Sequence, residues 1–432
     1  VKTITWLLPL VSITMFVSAQ KKSDRKTLSN LQLHINYLSS DKLEGRKSGA
    51  PGEQLAAAYI SSQLQQLNVA PRGDSGFMQT FTIKEGREAA ANCSMKINHE
   101  LLTAGKQFIP LPFSPDKSAK GEVLPDANEP DNIWLININE LEADNKKTSL
   151  EQYYQQTQIA AKSGATGVIF YNGKETAADA EQWSATRLPA TAIPAVWVNT
   201  DISRKLSSED ATTFLIEMQL AFKKVKHTGT NVIGFIDNKA AKTVIIGAHY
   251  DHAGTGFRGA DDNASGIAAL LEITRLLKSS SVKNHNFLIV AFSGKEQGLS
   301  GSRYFTAHSP VDLAQVNYMI NLDMIGRLDP AKGLQIGGVD TSPGWPGIIG
   351  SIAARETKLV YEPGNTGTSD HASFYKKNIP VLYLCTGSHH DTPASDDSAD
   401  KINYDGALTV VKLVYDIIGK TDNMEKLAFN SK

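Results

Sequence analysis

Residues 242–266 read KTVIIGAHYDHAGTGFRGADDNASG, an apolar run that stops at a histidine and gives way to a glycine-punctuated turn carrying three aspartates. The run KTVIIGA has the length and β-branched content of a buried strand, and ASGIAALLEITRLLKSS at 264–280 has the apolar spacing of a helix. The same grammar recurs downstream. NFLIVAFS (286–293), VNYMINLDMIG (316–326) and IPVLYLC (379–385) read as strands, and DGALTVVKLVYDIIG (405–419) as a helix. Strands alternating with helices predict an α/β fold, a mixed, mostly parallel sheet sandwiched by helices. In such sheets the functional groups gather beyond the carboxyl ends of the strands.

Upstream, EQLAAAYISSQLQQL at 53–67 suits an amphipathic helix after the corner KSGAPGE, and residues 72–118 hold short strand-like pieces such as QTFTI and CSMKI. Residues 119–222 change character. IWLINI, GVIFYN and IPAVWVN read as strands and SLEQYYQQTQIAAKSGA as a helix, which marks a separate smaller unit inserted between 28–118 and 223–425. The first residues, with Lys2, an apolar stretch from Ile4 to Val17 and small residues at Ser18 and Ala19, are expected to form an export signal over 1–19. That stretch is shorter than the roughly 20 apolar residues a bilayer needs, and no cysteine stands at the cut for a lipid anchor. A periplasmic or secreted protein without a membrane span is the expectation.

Lys plus Arg total 44 against 45 Asp plus Glu, a net charge of −1, and no long basic block occurs, which argues against a nucleic-acid partner. Two cysteines, Cys93 and Cys385, make neither a disulfide framework nor a thiolate zinc site. Ligand-type side chains instead follow the strands: His249 and Asp251, Asp261 and Asp262, Glu296, Asp323, and His389, His390 and Asp391. Any one could be a cap or a surface group. Five groups of imidazole and carboxylate side chains after these strands are the donor chemistry of zinc, cobalt or manganese, since clustered carboxylates repel one another without a cation.

HYD at 249–251, GADDNASG at 259–266, EQGLSGS at 296–302, NLDM at 321–324, TSDHASF at 368–374 and DKINYDG at 400–406 together resemble the M28 family of zinc aminopeptidases, and AAKSGATGVIFYN resembles the protease-associated (PA) domain. The resemblance implies a zinc-exopeptidase-like fold with an inserted PA-like domain, N-terminal hydrolysis of peptides, and two zinc ions. His249 would bind one ion, Asp262 would bridge both, and Glu296, Asp323 and a late histidine would complete the set. Asp251 would orient His249, and a cis peptide is expected between Asp262 and Asn263. His371, in TSDHASF, would be a wall or substrate contact.

Two positions depart from the family pattern. The family's general-base glutamate immediately precedes the metal-binding glutamate, and here that position holds Lys295. Two neighbouring cations could render this lysine neutral; failing that, its ammonium pairs with nearby carboxylates and replaces part of the metal charge. Counting back from Asp400 without a gap puts Pro393 where the late histidine belongs, whereas a shift of about three residues, tolerable in a loop, brings His390 there, with His389 as the weaker candidate. The leading expectation is thus an exported zinc aminopeptidase whose activity Lys295 impairs. A non-catalytic relative that binds peptides and a one-zinc glutaminyl cyclase-like enzyme are the alternatives. GLSGS at 298–302 misses the G-x-S-x-G elbow and no H-E-x-x-H occurs, which removes serine hydrolases and helix-borne zinc proteases.

Overall fold

All seven residues of the strand Thr243–His249 are buried, and alternate side chains enter two different cores. Val244, Ile246 and Ala248 join one cluster; Ile245 joins the other with Leu288, Val290, Phe292, Met319 and Val381. A strand covered on both faces needs no polar alternation, which is why it reads as a continuous apolar run. The computed structural model describes residues 8–124, 127–138, 150–171, 188–207, 213–352, 357–362, 364, 367, 369–387 and 396–430.

The chain divides into two units, residues 1–83 with 228–432, and residues 84–227. In the first, Thr243–His249 lies parallel to Asn286–Phe292 on one side and Val316–Leu322 on the other, and Val381–Cys385 continues the parallel set. Antiparallel pairing adds Phe222–Ile236 at one flank and Leu334–Gly337 at the other, with Leu359–Glu362 beyond it. This is the expected mixed, mostly parallel sheet. Helices Leu8–Leu38, Pro51–Gln66, Gly266–Lys278 and Tyr404–Thr421 contribute Leu31, Ile60, Ile273 and Val414 to one core, while Phe305 and Phe374 from two short helices close the opposite face. The order passes from Thr243–His249 first to one neighbour and then to the other, so a topological switch lies at its carboxyl end.

The second unit has two four-stranded sheets among the described residues. One is antiparallel, built on Phe214–Leu220; the other runs Phe108–Pro110, Ala195–Val198, Gly167–Tyr171 and Ile133–Asn137, with the helix Leu150–Lys162 packed on Gly167–Tyr171. Residues 84–118, expected with the larger domain, belong here instead. Ser94–Ile97 pairs with Phe214–Leu220 and Phe108–Pro110 with Ala195–Val198, so their backbone groups are satisfied inside this unit. Residues 8–38 form one helix across the expected cut near Ala19, and among the described residues no helix is long and apolar enough to cross a membrane.

Candidate metal centre

His249 ends its strand and Asp323 follows the neighbouring strand Val316–Leu322. Because Gly247 stands opposite Asn321, these two side chains emerge level with each other at the switch point. Asp262 enters from the turn Ala260–Ser265, whose shape is fixed by polar contacts rather than by packing. The amides of Asp261 and Asp262 donate to the buried Asp397 carboxylate at 2.9–3.1 Å. Asn263 clamps the turn to both strands, donating to the carbonyls of His249 (3.2 Å) and Leu322 (2.9 Å) and accepting from the amides of Gly266 and Met324 (each 3.0 Å). The Asp262–Asn263 peptide is cis. Gly259 has φ +59°, and a Cβ there would lie 2.3 Å from the Asp262 carbonyl oxygen and 2.6 Å from the His252 ring, so only glycine admits the turn.

His249 Nδ1 donates to the Asp251 carbonyl oxygen at 3.1 Å, with the Asp251 carboxylate at 3.6 Å. The main chain of Asp251, more than its side chain, therefore sets the ring. Its carboxylate instead accepts from Ser48 Oγ (2.9 Å) and from the amides of Lys295 (3.1 Å) and Glu296 (3.2 Å), pinning the corner that carries those residues. With Nδ1 committed, His249 Nε2 faces Asp323 Oδ1 at 3.1 Å and Asp262 Oδ1 at 3.3 Å. Asp262 Oδ1 has no hydrogen-bond partner despite being buried. Donors bound tetrahedrally at about 2.0–2.1 Å stand about 3.3 Å apart. The spacing and the mixed nitrogen and oxygen set thus fit a zinc-type ion held by His249, Asp262 and Asp323.

Without an ion the cluster is held by charge. Burial and Lys295 both work to lower the His249 pKa, but Asp323, Asp251 and Asp262 prevail and raise it well above its ordinary value. Burial works to raise Asp323, yet Lys295 and His249 bring it down to about 2, and Asp262 is lowered likewise, against burial, by His249 and Lys295.

Lys295 Nζ lies 2.8 Å from Glu296 Oε1, 3.7 Å from Asp262 Oδ1 and 3.9 Å from Asp323 Oδ2. Burial would lower its pKa, but the carboxylates of Asp323, Asp262 and Glu296 outweigh it and raise it above the ordinary lysine range. At an effective dielectric of about 20, each unit-charge pair some 4 Å apart gains about 4 kcal/mol before desolvation, so several carboxylates decide the matter. The structure therefore favours the charged ammonium over a neutral base. A second cluster of donors, His252, Asp262 and Glu296, lies within 4.8 Å and shares Asp262 with the first. Both His252 nitrogens are buried without a hydrogen-bond partner, and burial lowers its pKa to about 4, leaving the ring neutral.

Of the residues expected at the site, His249, Asp251, Asp262, Lys295, Glu296 and Asp323 come together here. His371 is fully buried and stacks on Tyr383 at 4.7 Å between ring centroids, which suits a wall. His389, His390 and Pro393 lie outside the described residues. Sequence reading missed His252, hidden inside HYDH, and Asp397, hidden inside the acidic run before DKIN. A second imidazole three residues from His249 was the available signal for the former.

Over 403 residues, 87% of this chain and 80% of its relative, the sequence is 27% identical to Aminopeptidase YwaD of Bacillus subtilis. Two solved structures share the fold across nearly the whole chain. A zinc aminopeptidase from Bacillus subtilis matches with a TM-score of 0.64 at 21% identity, covering 93% of this chain and 97% of its own. The aminopeptidase from Aneurinibacillus sp. strain AM-1 matches with a TM-score of 0.56 at 22% identity, covering 94% and 95%. Residues 231–418, which contain every donor of both clusters, match the model of Peptidase family M28.

Proposed function

We propose that the protein is an exported zinc-dependent aminopeptidase that removes N-terminal residues from peptides, with proton transfer weakened because Lys295 stands at the general-base position. The observation that carries this reading is the convergence of His249, Asp262 and Asp323 at the switch point of a family M28 fold. When bound there, zinc supplies Lewis-acid polarisation of a peptide carbonyl and a more acidic water. This chain's own residues do the rest. Asp251 and its carbonyl keep His249 Nε2 turned inward, Asp397 and Asn263 hold Asp262 in place, and His371 walls the site. The PA-like domain expected over 119–222 is proposed to lie within the unit 84–227, and 1–19 is proposed as the export signal. His390 is proposed as a late ligand.

The proton is the difficult step. A charged Lys295 cannot accept one, and losing a positioned base typically costs about 10²–10⁴-fold in rate. The ammonium among the ligand carboxylates also favours a second reading, a peptide-binding relative without turnover. The cyclase reading gains nothing, since it needs the same missing acid. A panel of aminoacyl chromogenic substrates, assayed with zinc-loaded wild type and Lys295→Glu, separates them. Slow wild-type release of N-terminal residues, raised about 10²-fold or more by Lys295→Glu, is expected. Zinc-loaded protein with no turnover in either form would leave the binding reading.

A further inference from the structure

We propose that this centre holds a single divalent cation, at His249, Asp262 and Asp323, and that the Lys295 ammonium takes the place and the charge of a second one beside Glu296. The inference rests on the metalloenzyme reading above and deepens it. Exchanging a glutamate for a lysine at position 295 changes the local charge by two units, the charge of one divalent ion. The same set of neighbouring carboxylates that would need two dications beside a glutamate therefore needs one beside a lysine.

Geometry places that charge where the exchange requires it. The ammonium reaches carboxylates of both donor clusters, with its shortest contact, 2.8 Å, to Glu296, which belongs only to the second. It also approaches Asp262, the member common to both, at 3.7 Å. The ammonium also lies 3.9 Å from Asp323 Oδ2, yet the His249 contacts to Asp262 and Asp323 at 3.1–3.3 Å leave the first donor triad assembled beside it. The second position nevertheless keeps its donors. His252 is buried with both ring nitrogens unpartnered, and its Nδ1 lies 3.7 Å from Asp262 Oδ2. Once the lysine is removed, His252, Asp262 and Glu296 would accept a second ion.

Native mass spectrometry and isothermal titration calorimetry with excess zinc test this without reference to turnover. One ion per chain is expected for wild type, two for Lys295→Glu, and one again for Lys295→Glu combined with His252→Ala. Two ions in wild type, or none, would overturn the proposal, as would a Lys295→Glu protein that still binds one. Retention of two ions in the double variant would overturn the place given to His252. If Lys295→Glu does not fold, as judged by circular dichroism, Lys295→Ala carries the same test: a second ion gained supports the proposal and its absence overturns it. Wild type that turns over substrate with two ions would sink this inference and leave the aminopeptidase reading, whereas one ion without turnover would do the reverse.

Discussion

Asp251 is two residues from the histidine it was expected to orient, yet three of its hydrogen bonds go elsewhere, to Ser48 and to the amides of Lys295 and Glu296. Burial works to raise its pKa, but the contacts to His249 and Ser48 and the Lys295 amide hold it below the ordinary value, so it stays charged. It thus ties one cluster to the corner carrying the other. Replacing Asp251 with Asn keeps the volume and removes the charge, and a group supporting a ligand in this way is worth about 10–100-fold in metal affinity. Competition titrations against a zinc chelator should show that loss, and an unchanged affinity would mean the Asp251 carbonyl suffices. At this scale much of the site was legible, because ligand-type residues follow apolar runs directly. Asp397 was not. Its role is to accept two amides 135 and 136 residues earlier in the chain, and no local pattern announces such a contact.

Between strand and helix, the turn Ala260–Ser265 depends on Asp397, which also takes a charge-assisted bond from Arg327 Nη2 at 3.1 Å. Asp397→Ala would strip three donors of this acceptor in a buried place. Removing one partner of such a network costs about 3–5 kcal/mol, and because the turn carries Asp262, zinc affinity should fall with it. Urea unfolding of wild type and variant measures the first effect; a difference under about 0.5 kcal/mol would show that water replaces the carboxylate without loss. The central strands and long helices were readable from apolar runs and spacing. The four-residue strands Leu334–Gly337 and Leu359–Glu362 were not, since so short a segment has no periodicity of its own. The same limit misplaced residues 84–118. Ser94–Ile97 becomes part of the smaller unit only through pairing with Phe214–Leu220, and partner choice over that distance leaves no trace in either segment alone.

Across the larger unit, stability is coupled to pH through two opposed sets of buried groups. Asp323 and Asp262 have pKa values below the ordinary carboxylate value, so they contribute stability above about pH 4 that is lost as pH falls toward 2. Asp370 is the reverse. Burial pushes it up to about 7, so the folded chain favours its protonated form; stability is complete below about pH 4 and is lost as pH rises through 7. His249, also raised, adds to the alkaline decline from about pH 6.5 upward, as the unfolded chain's histidine gives up its proton first. Metal-free protein should therefore be most stable in mild acid. Between pH 5 and 8.5, urea unfolding in chelator should show a decline to which Asp370 contributes up to about 2–3 kcal/mol. Asp370→Asn should remove that share while leaving the acid limb and the His249 share in place. Wild type and variant declining in parallel would mean that Asp370 ionises freely and that the buried cluster, not this carboxyl, sets the alkaline limb. Zinc reverses the argument at the same residue. A cation bound by His249 and Asp323, two of the groups whose charges act on Asp370, favours the ionised carboxyl, so loading the protein with zinc should shrink the difference between wild type and Asp370→Asn at pH 8.5.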